Sequence, residues 1–284
     1  MPICGRTDLA SEALSLHSRA SGRLGALSGV RAAQELVYDC PVTAVEILDA
    51  QGEAALQKPQ GLYYTLDLPR SHDHGALERS VRALAELLRR CLPAGGSGTV
   101  LIAALGNPNI TPDAVGPLTA EHVLVTRHLK EQEPGLFSAF RPTVLCRPNV
   151  LASSGLESAE QLRSLCALLR PDLVLAVDAL AGTELQALCH CIQICNTGIS
   201  PGSGVGNNRK ALTKESLGIP VVALGVPTVI DAGALSQEEE LAAMFVTPRD
   251  IDAAVRQVSR VLGYGINLAL HPGLSMEEMD DLLL

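Results

Sequence analysis

Two aspartates occupy positions from which acid–base chemistry could be done. Asp113 follows the apolar run Val100 to Leu105 and a turn-rich loop of Gly106, Asn107, Pro108 and Asn109, with Thr111 and Pro112 just before it. Asp178 follows the apolar residues of LVLAVDAL, Leu173 to Leu180. Such runs read as strands buried on both faces, which puts Asp113 at the carboxyl end of a central strand and makes Asp178 the end of its own. Open α/β sheets place ligands and catalytic groups at those strand ends. If the two carboxyls approach, they cannot both ionise cheaply. One then keeps a proton while the other accepts one from water, which is the requirement for hydrolysing a peptide bond without a covalent intermediate. Taken singly, each also reads as an acid that caps a helix or satisfies a loop.

The most glycine-dense stretch, GISPGSGVGNNRK from Gly198 to Lys210, could cradle phosphate, but its spacing fails the nucleotide templates. No Walker-type lysine motif occurs, and Gly202, Gly204 and Gly206 are followed by Asn207 where a GxGxxG loop needs glycine. The loop still suits the wall of a cleft, with Gly202, Ser203, Gly204 and Gly206 offering backbone N–H groups to an extended peptide and Arg209 beside them. A plain surface turn is the other reading. Cys189, His190, Cys191 and Cys195 lack a second cluster to complete a zinc site and read as buried thiols. His72 and His74 in SHDHG read as a solvated turn. Neither GxSxG nor HExxH occurs, so serine-hydrolase and zincin chemistry lose their commonest signatures. No metal and no cofactor are expected.

The elements that must position these residues follow from periodicity. Val42 to Leu48 and Leu62 to Leu68 alternate as half-exposed strands that could pair as antiparallel edges. Leu77, Val81, Leu84, Leu88 and Cys91 recur at helical spacing. A helix is predicted over Leu118, His122, Val125 and Leu129, a strand over Thr143 to Leu145, a helix over Leu162, Leu165 and Leu169, and a short helix from Glu184 to Leu188. Ile192 to Cys195 and Ile219 to Leu224 read as further strands. Thr247, Pro248 and Asp250 read as an N-cap, a first-turn proline and a first-turn acid ahead of the stripe Ile251, Val255, Val258 and Leu262. This alternation implies an α/β fold with a mainly parallel central sheet flanked by helices and extra antiparallel edge strands. No linker divides the chain.

The 284 residues are 47% hydrophobic but only 2% aromatic, with no Trp, so the core is aliphatic. Scarce aromatic rings and a net charge of -9 disfavour nucleic-acid binding. The start MPICGRTDLASEALSLH lacks a secretory pattern, and LVLAVDALAG and VVALGVPTVI are too short to span a membrane. A soluble cytoplasmic protein with reduced cysteines is expected.

Seven ordered segments carry a family resemblance: RTDLASEA (6–13), GLYYTLDL (61–68), GNPNITPDAVGP (106–117), VLVTRHL (123–129), RPDLVLAVDALA (170–181), TGISPGSGVGNNRKALTKESLGIPVVALGVPTVIDA (197–232) and FVTPRDID (245–252). Together they resemble the germination protease (GPR endopeptidase) family of endospore-forming bacteria. That resemblance implies an atypical aspartic peptidase of the spore core, with a fold similar to hydrogenase-maturation peptidases. Its implied substrates are the small acid-soluble spore proteins, degraded during germination. Asp113 in TPDA and Asp178 in DALA match the family's proposed catalytic pair. The resemblance further implies a homotetramer made as a zymogen, with residues 1–8 as a propeptide removed by a cut between Asp8 and Leu9 and residues 9–284 as one catalytic domain.

Three departures from the family pattern stand out: Asn196 where an acid usually precedes TG, Ser200 in place of a histidine, and a shortened segment between Asp231 and Phe245. Two other readings remain. GNPNITPDAVG loosely resembles the GN…D…G motif of hydrogenase-maturation peptidases, whose carboxylates bind metal, although Ala114 stands where those enzymes use glutamate. A homologue that binds spore proteins without cutting them is the other.

Overall fold

Strands β1 (Val30–Val37), β2 (Cys40–Ile47), β3 (Gly61–Asp67), β4 (Val100–Ala104), β5 (Thr143–Cys146), β6 (Leu173–Gly182), β7 (Cys191–Cys195), β8 (Val221–Asp231) and β9 (Phe245–Val246) build one sheet. These come from a computed structural model that describes residues 7–21, 27–70, 75–202, 209–234 and 244–283. The order across the sheet is β1-β2-β3-β7-β8-β6-β4-β5, with β9 beside the far end of β8. One half, β5-β4-β6-β8, is parallel. The other half is antiparallel and reaches further inward than two edge strands, because β7 runs antiparallel to both β3 and β8.

Helices cover both faces, and the alternation of strand side chains divides the core between them. Val100 and Ile102 of β4 join Leu173, Leu175 and Val177 of β6 in a cluster with the helices Ala76–Cys91 and Ile251–Leu270. Leu101 and Ala103 face the other way and join Val174 and Ala176 with the helix Ser158–Leu169 and Ala10 of the helix Ala10–Ser21. Parallel strands need a crossover, which Ser158–Leu169 supplies between β5 and β6. By this alternation Asp178 belongs to the second face.

The structure departs from the sequence expectations at several points. Strand β6 does not stop at Asp178: the small and apolar residues that follow continue the ladder with β8, through a register shift at Leu180/Ala181, as far as Gly182. The helix expected across Leu118 to Leu129 is broken into Val115–Thr119, a single 3-10 turn Ala120–His122, and Arg127–Gln132. Tertiary bonds claim the backbone that would have joined them. Leu124 N–H donates to Asn267 Oδ1 at 2.9 Å, and the Leu124 carbonyl accepts from Thr143 Oγ1 at 2.7 Å. Glu184 to Leu188 forms turns, not a helix. Asp250 is the residue that precedes the helix Ile251–Leu270, which leaves Thr247 and Pro248 outside it. Strand β1, mostly exposed and without clear alternation, is held by its pairing with β2. His72, His74, Ser203, Gly204 and Gly206 lie outside the described residues. No helix among the described residues is long and apolar enough to cross a membrane.

Candidate active site

Beyond β4 the chain stays with β6 for one more residue, Leu105 N–H donating to the Val177 carbonyl at 2.8 Å. It then folds back sharply at Gly106, whose φ is +112°. A Cβ there would stand 2.0 Å from the Asp113 carbonyl oxygen, so only glycine permits the approach. Asn107 N–H uses that closeness, donating to the Asp113 carbonyl at 3.0 Å and to its Oδ2 at 2.9 Å. The 3-10 turn Thr111–Asp113 is tied from outside as well. Buried Thr228 of β8 donates through Oγ1 to the Pro112 carbonyl at 2.7 Å, and Thr111 Oγ1 donates to Asp252 Oδ1 at 2.9 Å. Asp113 is therefore located by β4, β8 and the start of the helix Ile251–Leu270.

Asp178 projects from within β6 and is 4% exposed. Its Oδ1 accepts from the Ala179 N–H at 3.0 Å. Across the ladder its partner is Gly225, where a Cβ would press to 2.4 Å from Leu180 Cδ1. Asp113 and Asp178 line one cavity of about 500 Å³, together with Asp8, Gly202, Arg209 and Thr228.

Burial pushes both carboxyls up from the ordinary aspartate range. For Asp178 the shift is large: burial acts first, the negative charge of Asp113 adds to it and Asp8 adds further, while the Ala179 N–H and Arg209 pull the other way. Asp113 is raised by burial against the opposing pull of the Asn107 N–H and Arg209. Deeper burial and the neighbouring Asp113 charge favour the protonated form at Asp178, whereas at Asp113 burial is opposed by the Asn107 N–H and Arg209. Such a split between neighbouring carboxyls is how one site holds an acid and a base together.

Of the residues singled out in the sequence, Asp113, Asp178, Gly202, Arg209 and Asp8 share this cavity. Leu9 lies at its side, fully buried against Leu180 and Cys191. Asn196 accepts the Leu62 N–H through Oδ1 at 2.9 Å, and Ser200 lines an adjacent pocket with Lys58 and Tyr63. Cys189, Cys191 and Cys195 are buried free thiols, each raised chiefly by burial. Among the described residues no group of three or more His, Cys, Asp or Glu side chains is placed to hold a metal ion. Sequence reasoning passed over Thr228, Gln193 and Thr183. For the first two a signal existed, a polar residue inside an apolar strand, since buried polar groups are the informative exceptions.

Comparison with known proteins gives a consistent result. Residues 10–240 match the sequence profile of the family described as germination protease. A germination protease of Caldanaerobacter subterraneus subsp. tengcongensis is 38% identical, the match covering 98% of this chain and 98% of the relative. One of Clostridium perfringens strain 13 is 35% identical with the same coverage. One of Bacillus cereus strain G9842 is 36% identical, covering 97% of this chain and 77% of the relative. Among solved structures, a NiFe hydrogenase maturation protease from Thermococcus kodakarensis KOD1 aligns with 63% of this chain and 98% of its own at a TM-score of 0.36 and 20% identity.

Proposed function

The chain belongs to the germination protease family, and we propose that it is an endopeptidase in which Asp113 and Asp178 together activate water. The family supports a peptidase that acts in spore germination. The observation that carries the finer reading is the sharing of one cavity by two carboxyls of unequal acidity. Ionised Asp113 takes a proton from water, and the hydroxide so formed bonds to the scissile carbonyl carbon. Asp178 gives its proton as the C–N bond breaks, so that water and peptide become a carboxylic acid and an amine. Arg209 limits how far the pair is pushed towards the neutral state.

The resemblance of the motifs supports the remaining points of the proposal. The substrates are small acid-soluble spore proteins in the spore core, the chain is a homotetrameric zymogen, and self-cleavage between Asp8 and Leu9 removes residues 1–8. The presence of Asp8 in the wall of the cavity that holds both aspartates favours a cut at that place. Incubating the purified chain with an acid-soluble spore protein and reading fragments by mass spectrometry tests the reading. Cleavage by the wild-type chain and none by Asp113→Asn or Asp178→Asn is expected; full activity in both variants overturns it.

A further inference from the structure

The chain from Thr7 to Glu12 meets the aspartate cavity at Asp8, which lines it, and then enters the helix Ala10–Ser21, held on the way by β6 and β7. Asp8 is joined to β6 twice over: its N–H donates to the Ala181 carbonyl at 2.9 Å, and its Oδ2 accepts from the Ala181 N–H at 2.9 Å. Gln193 of β7 then brackets Leu9. Its Nε2 donates to the Asp8 carbonyl at 2.9 Å and its Oε1 accepts from the Ala10 N–H at 2.7 Å. Between those two anchors Leu9 is buried against Leu180 and Cys191. Lys58 Nζ donates to the Thr7 carbonyl at 3.1 Å, and its charge faces that of Asp8.

Four residues beyond the Asp8–Leu9 bond, the Glu12 carboxylate is only 4% exposed. It accepts from Thr183 N–H at 2.7 Å, Thr183 Oγ1 at 2.7 Å and Glu184 N–H at 3.2 Å, and Thr7 Oγ1 adds a fourth bond at 2.6 Å. A carboxylate so deep in the protein is tolerated only with such a set of donors. The Gln193 amide is buried too, and both of its ends are spent on this one segment. Without a peptide there, a buried donor and a buried acceptor would be left unsatisfied, which proteins avoid. The wall is therefore built for a chain that bends at Asp8 and enters a helical turn at Ala10, in this register.

We propose that this wall is the substrate track of the enzyme, that Gln193 is the positioning residue which fixes the scissile bond, and that Thr183 with the Glu184 N–H forms a subsite for an acidic side chain four residues after the cut. The proposal rests on the aspartate-peptidase reading above. Thr7 to Glu12 is the first peptide the track holds. As water adds to the Asp8 carbonyl carbon and the bond to the Leu9 nitrogen breaks, negative charge grows on the carbonyl oxygen. The Gln193 Nε2–H is already directed at that oxygen and bonds it more strongly in the transition state than in the resting peptide.

The test is the first-order self-cleavage rate of the full chain, read by intact mass, with thermal unfolding as a check on folding. Gln193→Ala is expected to slow the cut at least tenfold and to let residual cleavage spread to bonds other than Asp8–Leu9. Gln193→Glu, which keeps an acceptor for Ala10 but loses the donor to Asp8, covers the case in which the alanine variant fails to fold; it is expected to slow the cut at least tenfold. Glu12→Gln and Thr183→Val are each expected to slow cleavage several-fold, and the double variant to be less than twofold slower than the slower single, because both remove one interaction. A wild-type rate at the single wild-type bond in the Gln193 variants overturns the positioning role. Losses that multiply in the double variant overturn the subsite. Continued cleavage by Asp178→Asn overturns instead the peptidase reading beneath both.

Discussion

Asp178 and Gln193 stand on one rung of the sheet, each paired in register with Gly225 between them. Residues opposite each other share a face, so a side chain at position 225 would project between the candidate acid and the peptide clamp. Leu180 already fills that space, with Cδ1, Cγ and Cδ2 all within 2.9 Å of where a Cβ would stand. Gly225→Ala is therefore expected to push Leu180 into the cavity, to destabilise the fold by about 1–3 kcal/mol through overpacking, and to reduce kcat/KM for peptide cleavage at least tenfold. Thermal unfolding and steady-state kinetics check the two effects separately; an alanine variant with wild-type kinetics would show that the rung does not shape the site.

A second expectation concerns pH. The Asp178 carboxyl is raised in the folded chain, so between its ordinary value of 3.8 and its raised value the folded state binds a proton that the unfolded state has lost. Its contribution favours the fold at low pH and is lost as pH rises through that window, at up to about 1.4 kcal/mol per pH unit for one proton. Asparagine resembles the protonated acid and carries no such penalty. Asp178→Asn should thus abolish cleavage while raising Tm at neutral pH, with the gain over wild type shrinking towards pH 4. A variant that is inactive and less stable at pH 7 would contradict the assignment of the proton to Asp178.

Thr228 makes a narrower prediction. Its hydroxyl is the link between β8 and the Pro112 carbonyl, one residue from Asp113. Thr228→Val preserves shape but leaves that carbonyl without its donor, a loss of about 1–3 kcal/mol. Cleavage should fall about tenfold, because small misplacements of a catalytic group are costly even when the fold survives. Denaturant unfolding alongside kcat/KM would separate the structural loss from the catalytic one.

What could be read in the sequence follows the reach of each signal. The helix Ala76–Cys91 and the strands β2, β3, β4, β5 and β7 lie where period and apolar runs put them, since burial alone dictates those patterns. The end of β6 was not legible. Ala179 to Gly182 carry no strand signal of their own and are strand because β8 is there to pair with. The break between Thr119 and Arg127 likewise depends on Asn267 and Thr143, which are distant in sequence. Asp113 and Asp178 were legible as acids after apolar runs, but Gln193 and Thr183 acquire their roles only through register and chain return.

The last expectation lies away from the site, at His271. It is 2% exposed, sits after the helix Ile251–Leu270 with its ring 5.2 Å from that of Phe140, and neither ring nitrogen has a hydrogen-bond partner among the described residues. Burial lowers its pKa to about 4, with the charges of Lys130 and Arg141 adding to the effect. The imidazole is therefore neutral in the folded chain where the unfolded chain, with its ordinary value of 6.5, would take up a proton. The stability this group supports is fully present above pH 6.5 and is lost as pH falls towards 4. Between pH 7 and pH 5 the loss comes to about 2 kcal/mol for a single site. His271→Leu keeps an apolar side chain against Phe140 and has no proton to bind, so the variant should lose about 2 kcal/mol less than wild type over that interval. Denaturant unfolding at the two pH values checks this, and equal acid sensitivity in both proteins would mean that the buried imidazole is protonated in the fold.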